Sequence, residues 1–129
     1  MKVEKPWGHE IRWAVNEKYI GKILHIKEGH RLSKQYHKVK DETVYVLEGK
    51  LYAFMGPKDI EIQIPEGHAY RIKPGEIHRF CAVIGDVTLV EVSTPEIEDV
   101  VRLEDDYSRD TPPLEETEEK ELYEVYGGD

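Results

Sequence analysis

The feature that most constrains the fold of this chain is a series of short, β-prone runs separated by turn signals. Each run is rich in Ile, Val, Tyr and Phe, the residues that favour extended strands. Gly and Pro punctuate the sequence between the runs, as in Gly56-Pro57 and Pro74-Gly75. Many short strands without intervening helical periodicity predict an all-β sandwich or barrel. The predicted strands cover 18–27, 43–54, 60–64, 69–72, 77–84 and 87–93.

Size and composition narrow the class further. At 129 residues the chain fits one domain with a core of its own. Its net charge of −9 argues against a nucleic-acid surface, which needs clustered Lys and Arg, but permits a small anionic substrate. No run approaches the roughly 20 apolar residues that a membrane helix needs. The single cysteine, Cys81, excludes an internal disulfide framework and fits a cytoplasmic protein.

A change of composition near Thr111 divides the chain. Residues 1–110 hold all the predicted strands and form the expected domain, whereas 111–129 become acidic after Thr-Pro-Pro. Charge runs of this kind are usually solvated, so an acidic tail or a short terminal helix over 114–126 is expected. The alternative is a strap that packs Leu114, Leu122 and Tyr123 onto the domain or onto a second subunit.

Two histidines, a glutamate and a glutamine carry the pattern of a metal site. Gln35 and His37 lie two residues apart, so both side chains face the same side of an extended strand. Glu42 and His78 each share the parity of the apolar residues in their own runs. The four side chains can therefore converge inside a barrel. Such a mixed set of nitrogen and oxygen ligands suits a transition metal better than magnesium or calcium. Zinc or manganese is expected first, with iron, nickel or cobalt as alternatives.

The spacing of these residues resembles the two sequence motifs of the cupin superfamily. The first motif is matched by Gly29, Gln35, His37, Glu42 and Gly49, and the second by Gly67, Gly75 and His78. In the second motif Lys73 stands at the expected proline and Ala82 at the terminal asparagine. The resemblance implies a single-domain cupin, a jelly-roll barrel (double-stranded β-helix) that binds one divalent metal.

Within the cupins, the chain resembles the isomerase domain of type II phosphomannose isomerases over roughly residues 5–109. The matching segments are 5–8, 35–42, 75–79, 90–92 and 98–109. Gln35 in the first ligand position is a further shared feature, whereas Lys-Val-Lys at 38–40 departs from a frequent His-His-Arg. The resemblance implies a metal-dependent aldose–ketose isomerase that acts on a sugar phosphate, with mannose 6-phosphate and fructose 6-phosphate as the first pair.

Three residues are expected to serve catalysis beside the metal. Lys22 shares the parity of the apolar residues that follow it, so it either binds substrate or reaches water at the barrel mouth. Glu91 lies within a late apolar run, where an inward carboxylate would act as a base. Arg79 would hold phosphate, although it follows a ligand and strand alternation turns it to the other face. Glu48 is an alternative base, and Lys40 is an alternative phosphate ligand.

The same residues permit two other functions. A non-catalytic sugar-binding cupin would keep the metal and lack the base, since one fold supports many activities. A metal-dependent oxygenase would use the two histidines and the glutamate around Fe(II), with positions left open. A polar pocket with phosphate-binding cations would favour the isomerase over both.

The expected partners are a small sugar phosphate and a second copy of the chain. A small barrel leaves edge strands that natural proteins pair or cover. Symmetric pairing of equivalent patches is the commonest solution among soluble proteins. The sequence therefore predicts a homodimer, with neither nucleic acid nor membrane as a partner.

Overall fold

The computed structural model describes residues 1–107, and these residues form strands and turns only. The acidic tail predicted over 111–129 lies outside the described residues. No helix in the described part of the chain has the length and apolar character to cross a membrane. The strands, in chain order, are β1 (Lys2–Lys5), β2 (Gly8–Val15), β3 (Ile20–Ile26), β4 (Lys34–Tyr36), β5 (Glu42–Glu48), β6 (Lys50–Met55), β7 (Ile60–Pro65), β8 (Ala69–Ile72), β9 (His78–Cys81), β10 (Val87–Ser93) and β11 (Val101–Glu104).

The strands form two antiparallel sheets whose neighbours are mostly distant in sequence. The six-stranded sheet has the order β1-β2-β3-β10-β5-β8, and the five-stranded sheet has the order β11-β4-β9-β6-β7. In the six-stranded sheet β10 lies between β3 and β5, so Glu91 is opposite Lys22 on one side and Val44 on the other. This crossed order confirms the all-β barrel that the turn-punctuated sequence predicts.

The core lies between the two sheets because each strand turns alternate side chains inward. Leu24, Val44 and Leu89 come from the six-stranded sheet, and Leu51 and Phe80 come from the five-stranded sheet. All five are at most 4% exposed. At roughly 1.5–3 kcal/mol for each large buried apolar side chain, this cluster supplies the main driving force that closes the barrel.

The run predicted over 43–54 is two strands in two different sheets. The chain turns at Gly49, between β5 of the six-stranded sheet and β6 of the five-stranded sheet. Gly49 has a φ of 86°, and a Cβ built there would approach the carbonyl oxygen of Asp86 to 2.4 Å. Only glycine fits this crossing without strain, since it lacks a Cβ. The sequence prediction located the turn residue but not the change of sheet.

Candidate metal centre

Three buried side chains meet between the sheets at one end of the core. Glu42 begins β5, His78 begins β9, and His37 immediately follows β4. One ligand atom from each of these residues lies within 4.8 Å of the others, and none of the three residues is more than 3% exposed. The two sheets therefore bring together three of the four residues that the sequence predicts as metal ligands.

The hydrogen bonds of the two imidazoles leave a place for a cation between them. His37 Nδ1 donates to the carbonyl oxygen of Asp99, and His78 Nδ1 donates to the carbonyl oxygen of Glu76 at 2.9 Å. Both Nε2 atoms face the same carboxylate oxygen, Glu42 Oε1, at 3.1 Å and 3.4 Å. A ring whose Nδ1 carries the hydrogen presents a lone pair at Nε2. A divalent cation among two such lone pairs and a carboxylate satisfies all three groups.

His78 provides the clearest sign of this fit. Its Nε2 atom is buried and makes no hydrogen bond within the described part of the chain. A buried polar atom left in that state normally marks an ion, a water or a functional role. The backbone carbonyls behind both rings match the outer contacts that commonly orient metal-ligating histidines. The residues present thus fit a divalent transition metal bound by two nitrogens and one oxygen.

Gln35 lies beside this centre without being one of the three converging ligands. It pairs with His78 across β4 and β9 and lines the same cavity. Its Oε1 atom accepts a hydrogen bond from the Ser33 hydroxyl at 2.6 Å. Its role as a fourth ligand stays a prediction, and Ser33 is the group that fixes the orientation of its amide.

Glu91 and Lys40 extend the centre into a buried chain of charges. Lys40 Nζ lies 3.3 Å from Glu91 Oε2 and 3.8 Å from Glu42 Oε2. Burial would lower the pKa of Lys40, but the charges of Glu91 and Glu42 raise it above its ordinary value. Burial, together with the charge of Glu42, raises the pKa of Glu91 to about 8. Burial would also raise the pKa of Glu42, yet the neighbouring His37 and His78 side chains and the charge of Lys40 hold it well below its ordinary range.

A second charged group surrounds Glu10 at the mouth of the cavity. Glu10 is 4% exposed, and its carboxylate forms ion pairs with three cations. The carboxylate oxygens lie 2.7 Å from Arg12 Nε, 3.5 Å from Lys22 Nζ and 3.9 Å from Lys5 Nζ. Burial acts to raise the pKa of Glu10, but the Arg12 hydrogen bond and the charges of Lys22 and Lys5 lower it overall. Lys22 therefore points into the cavity, as the sequence predicts, and forms an ion pair with Glu10 there.

Arg79 and Glu48 lie outside the cavity. Arg79 faces away from His78 on β9, as strand alternation requires, and its guanidinium donates to the carbonyl oxygen of Leu32 at 2.8 Å and to Asp106 at 2.9 Å. It is buried there and forms ion pairs with Glu104 and Asp106. Glu48 is exposed at the end of β5. The structure thus does not bring either residue to the centre, and the prediction of a catalytic Arg79 lacks a geometric basis.

Several residues of the cavity were not identified from the sequence. The pocket between the sheets offers about 110 Å³, enough for several waters or a small polar group. Glu10, Arg12, Lys5 and Arg102 line it, as do Ile97 and Val100 from the segment between β10 and β11. Glu10 and Arg12 alternate with apolar residues along β2, which was the available signal, but strand β2 was not predicted.

Asp99 connects the centre to the loop that carries Lys40. Its carboxylate accepts hydrogen bonds from the backbone N–H groups of Lys38, Val39 and Lys40 at 2.7–3.1 Å. Its backbone carbonyl oxygen accepts a hydrogen bond from His37 Nδ1. Partial burial would raise the pKa of Asp99, but these three N–H donors lower it. One residue thus fixes both the His37 ring and the loop.

Replacing Asp99 with alanine is therefore expected to weaken metal binding by up to about 10-fold, because the backbone carbonyl that accepts from His37 is kept but is no longer anchored to the 38–40 loop. The side chain is removed, so the 38–40 loop is released while His37 itself remains. Competition titration with a metal chelator measures the change. Glu98→Ala is the matched control, since the Glu98 side chain is exposed and outside the cavity lining. Equal affinities for the two variants would contradict this role.

An antiparallel two-sheet barrel that holds two histidines and a glutamate between its sheets is a cupin. Residues 1–105 match the protein family described as mannose-6-phosphate isomerase C-terminal, and the chain belongs to this family. The resemblance inferred from the motifs is confirmed by this match. No curated protein matches the chain.

Solved structures share the fold at low sequence identity. CapF, a capsular polysaccharide assembling protein from Staphylococcus aureus, has a TM-score of 0.70 at 17% identity, over 81% of this chain and 34% of CapF. KdgF from Halomonas sp. has a TM-score of 0.68 at 15% identity, over 77% of this chain and 89% of KdgF. A cupin sugar phosphate isomerase from Silicibacter pomeroyi has a TM-score of 0.58 at 20% identity, over 67% of this chain and 58% of its own.

Proposed function

We propose that this chain is a metal-dependent aldose–ketose isomerase of a sugar phosphate, with mannose 6-phosphate and fructose 6-phosphate as the first pair. The charge of the cavity carries the proposal. Around the His37–Glu42–His78 centre the lining holds five cationic side chains, Lys5, Arg12, Lys22, Lys40 and Arg102, against three acidic ones, Glu10, Glu42 and Glu91. A cationic cavity within a chain of net charge −9 favours a small anionic ligand.

The family and the cavity support the proposal together. The family description names mannose-6-phosphate isomerase, and one solved relative of the same fold is described as a sugar phosphate isomerase. A sugar phosphate needs both a polar site for its carbonyl end and cations for its phosphate. The cavity offers a metal-ligand set and charged residues at its mouth, whereas an oxygenase is expected to have a more apolar pocket.

His37, His78 and Glu42 would hold the metal, zinc or manganese first, with Gln35 adjacent. When bound, this ion would supply Lewis-acid polarisation of the carbonyl and the neighbouring hydroxyl. The protein's own part is to exclude water from that end of the cavity, since these ligands are almost fully buried. Charge that develops on the substrate oxygens is held more strongly in such a dry site than in water.

Glu91 is the proposed group that moves the proton between the two sugar carbons. It lies 3.3 Å from Lys40 and beside Glu42, whose charge acts on its pKa, and it is directly across the strand pair from Lys22. A carboxyl group next to the centre can take a proton from one carbon and return it to the next. Lys40 would hold Glu91 in position and stabilise its ionised form before the first transfer and after the second.

The Glu10 group is the proposed binding site for the phosphate. Arg12 contacts Glu10 through Nε. Its two terminal NH₂ groups make no hydrogen bond within residues 1–107. Its side chain is 25% exposed, and that of Lys5 is 22% exposed. A fork of N–H donors at the mouth matches the geometry of a phosphate group. Glu10 would hold Arg12, Lys22 and Lys5 close together despite their mutual repulsion.

Replacing Arg12 with alanine is expected to raise KM for the sugar phosphate about 10–100-fold and to leave kcat nearly unchanged. A charge-assisted hydrogen bond to phosphate contributes about 1.5–3 kcal/mol, and this contact is made in the ground state and the transition state alike. Steady-state kinetics measure the split. Arg71→Ala is the control, because Arg71 is exposed on β8 and paired with Asp41. A change in kcat alone would contradict the assignment.

A coupled assay of the metal-loaded chain against several aldose and ketose phosphates tests the function itself. Interconversion of at least one pair, lost after chelation and restored by metal, is the expected result. Incubation with mannose 6-phosphate in deuterated water adds a second readout, since exchange at carbon 2 reports proton abstraction. Binding of sugar phosphates without turnover would contradict the isomerase and would favour the non-catalytic sugar-binding function. Oxygen consumption with Fe(II) would favour the oxygenase.

A further inference from the structure

The cavity beside the metal centre has an apolar wall as well as its charged lining. Four of the residues that line the cavity belong to the main hydrophobic core or pack against it, namely Trp7, Leu24, Leu32 and Phe80. Trp7, Leu24 and Phe80 are at most 4% exposed. An inorganic anion gains nothing from such a wall, since it has no apolar surface to remove from water. The combination of cations and an apolar wall therefore suits an anion that carries a carbon skeleton.

The apolar wall begins beside the Glu10 group. Leu24 lies directly opposite Glu10 across β2 and β3. Lys5, which belongs to that group, lies two residues before Trp7, and both side chains line the cavity. The segment 5–8 thus contributes a cation and an aromatic ring to one end of the site. A ligand whose phosphate is bound at the Glu10 group would have its nearest carbons next to Trp7.

Trp7 is held in place by the backbone around it. It lies in the turn between β1 and β2, and its carbonyl oxygen accepts a hydrogen bond from the backbone N–H of Lys27 at 2.9 Å. The next residue, Gly8, has a φ of 152°, and a Cβ built on it would collide with the carbonyl oxygen of His25. Only glycine permits this close approach, since it lacks a Cβ. The indole therefore starts from a backbone position that is fixed against β3.

The indole N–H of Trp7 makes no hydrogen bond within residues 1–107, although the residue is only 3% exposed. Buried tryptophans usually find a partner for this group. The group can nevertheless be reached, because it is not among the fully buried, unpartnered polar atoms of the described chain. In solution a water can accept from it until an oxygen of a ligand takes that place. A packing role in the core explains the ring of Trp7 but not this unused donor.

We infer that Trp7 determines specificity by contacting the carbon skeleton of the substrate near its phosphate, an inference that rests on the proposed function. A sugar phosphate has C–H surfaces as well as hydroxyl groups, so it can use the apolar wall and the indole N–H together. Burial of the C–H surfaces favours binding, and so does a hydrogen bond from the indole to a hydroxyl oxygen. The reacting carbons would lie at the other end of the cavity, beside the metal centre.

Tryptophan fluorescence tests this contact, because the chain has two tryptophans in different surroundings. Trp13 is 53% exposed, and its indole lies over Gly21, away from the cavity lining. In metal-loaded Trp13→Phe protein, titration with the sugar phosphates should change the emission of Trp7. The midpoint should equal the Kd measured by calorimetry. In Trp7→Phe protein, the emission of Trp13 should stay constant during the same titration.

The affinities of the two variants for two ligands give a second readout. Trp7→Phe keeps an aromatic ring in the core but removes the N–H group and part of the indole surface. It should weaken binding of the sugar phosphate about 3–10-fold and leave the affinity for inorganic phosphate unchanged. Trp13→Phe is the matched control, the same substitution outside the cavity, and it should change neither affinity. Metal content and circular dichroism should be equal in the variants and the unmodified chain.

An equal loss of affinity for both ligands in Trp7→Phe would assign Trp7 to the core alone and overturn the inference, as would an unchanged affinity for the sugar phosphate. If Trp7→Phe does not fold, the Trp13→Phe protein decides, since saturation with sugar phosphate at constant Trp7 emission would also overturn it. Sugar phosphates that change Trp7 emission without being turned over would support this contact and contradict the isomerase. Failure to bind any sugar phosphate would overturn both.

Discussion

Metal bound to the purified chain is expected to disappear when His37 is replaced with alanine. His37 Nε2 lies 3.1 Å from Glu42 Oε1, and its loss leaves one imidazole and one carboxylate from the converging set of three. Two protein donors hold a divalent ion far less well than three, and a fall in affinity of at least about 100-fold is expected. Elemental analysis after dialysis should find close to one metal ion per unmodified chain and almost none in the variant.

The control for this experiment is His68→Ala. His68 is exposed in the turn before β8, and its side chain hydrogen-bonds the backbone carbonyl of Glu66 at 3.3 Å. Its replacement should leave the metal content unchanged, and both variants should keep the circular dichroism of a β-barrel, since the apolar core does not include either residue. A His37→Ala protein that held as much metal as the unmodified chain would place the site elsewhere.

The convergence of His37, Glu42 and His78 could be predicted from the sequence because their positions are encoded locally. Glu42 and His78 each begin a strand and His37 immediately follows one, and the alternation along that strand decides which face the side chain takes. The glycines around them mark the turns that reverse the chain. Parity and turns together are enough to bring three ligands to one interior, even without knowledge of which strands are neighbours.

The charged mouth of the cavity could not be predicted in the same way. Glu10 and Arg12 belong to β2, whose residues alternate polar and apolar but include charged side chains on both sides of Ile11. Whether those charges face water or a cavity depends on the register of β2 with β3, where Arg12 lies opposite Lys22. That register is a long-range pairing, and no local pattern fixes it. Only the three-dimensional arrangement shows that Glu10 forms ion pairs with Lys5, Arg12 and Lys22.

Arg79 illustrates the limit of motif-based reasoning. Its position next to His78 suggested a role in the site, but strand alternation directs the two side chains to opposite faces. The decisive partner, Asp106, lies 27 residues further along the chain and also receives Arg31. A buried arginine in that setting holds Glu104 and Asp106 against β9. Proximity in sequence to a ligand is therefore weaker evidence than shared strand parity.

Glu91→Gln is expected to lower kcat by about 100–10,000-fold, the contribution typical of a positioned acid or base. Glutamine keeps the size of the side chain and can hydrogen-bond Glu42, but its amide cannot accept and return a proton. KM should change by no more than a few-fold, because the proposed phosphate contacts are made by Arg12 and its neighbours. Metal content should be unchanged, since Glu91 is not among the three converging ligands.

Glu48→Gln is the matched control for this last experiment. Both glutamates were candidate bases in the sequence, yet Glu48 is exposed at the end of β5 whereas Glu91 is 4% exposed and 3.3 Å from Lys40. The control should retain full turnover. If Glu91→Gln kept its kcat while still binding metal, proton transfer would have to pass through another group in the cavity, and Lys22, directly opposite Glu91 across β3 and β10, would be the next residue to replace. If Glu91→Gln instead lost its metal along with its turnover, the carboxylate would serve to hold Glu42 in place, and the base would again have to be sought elsewhere.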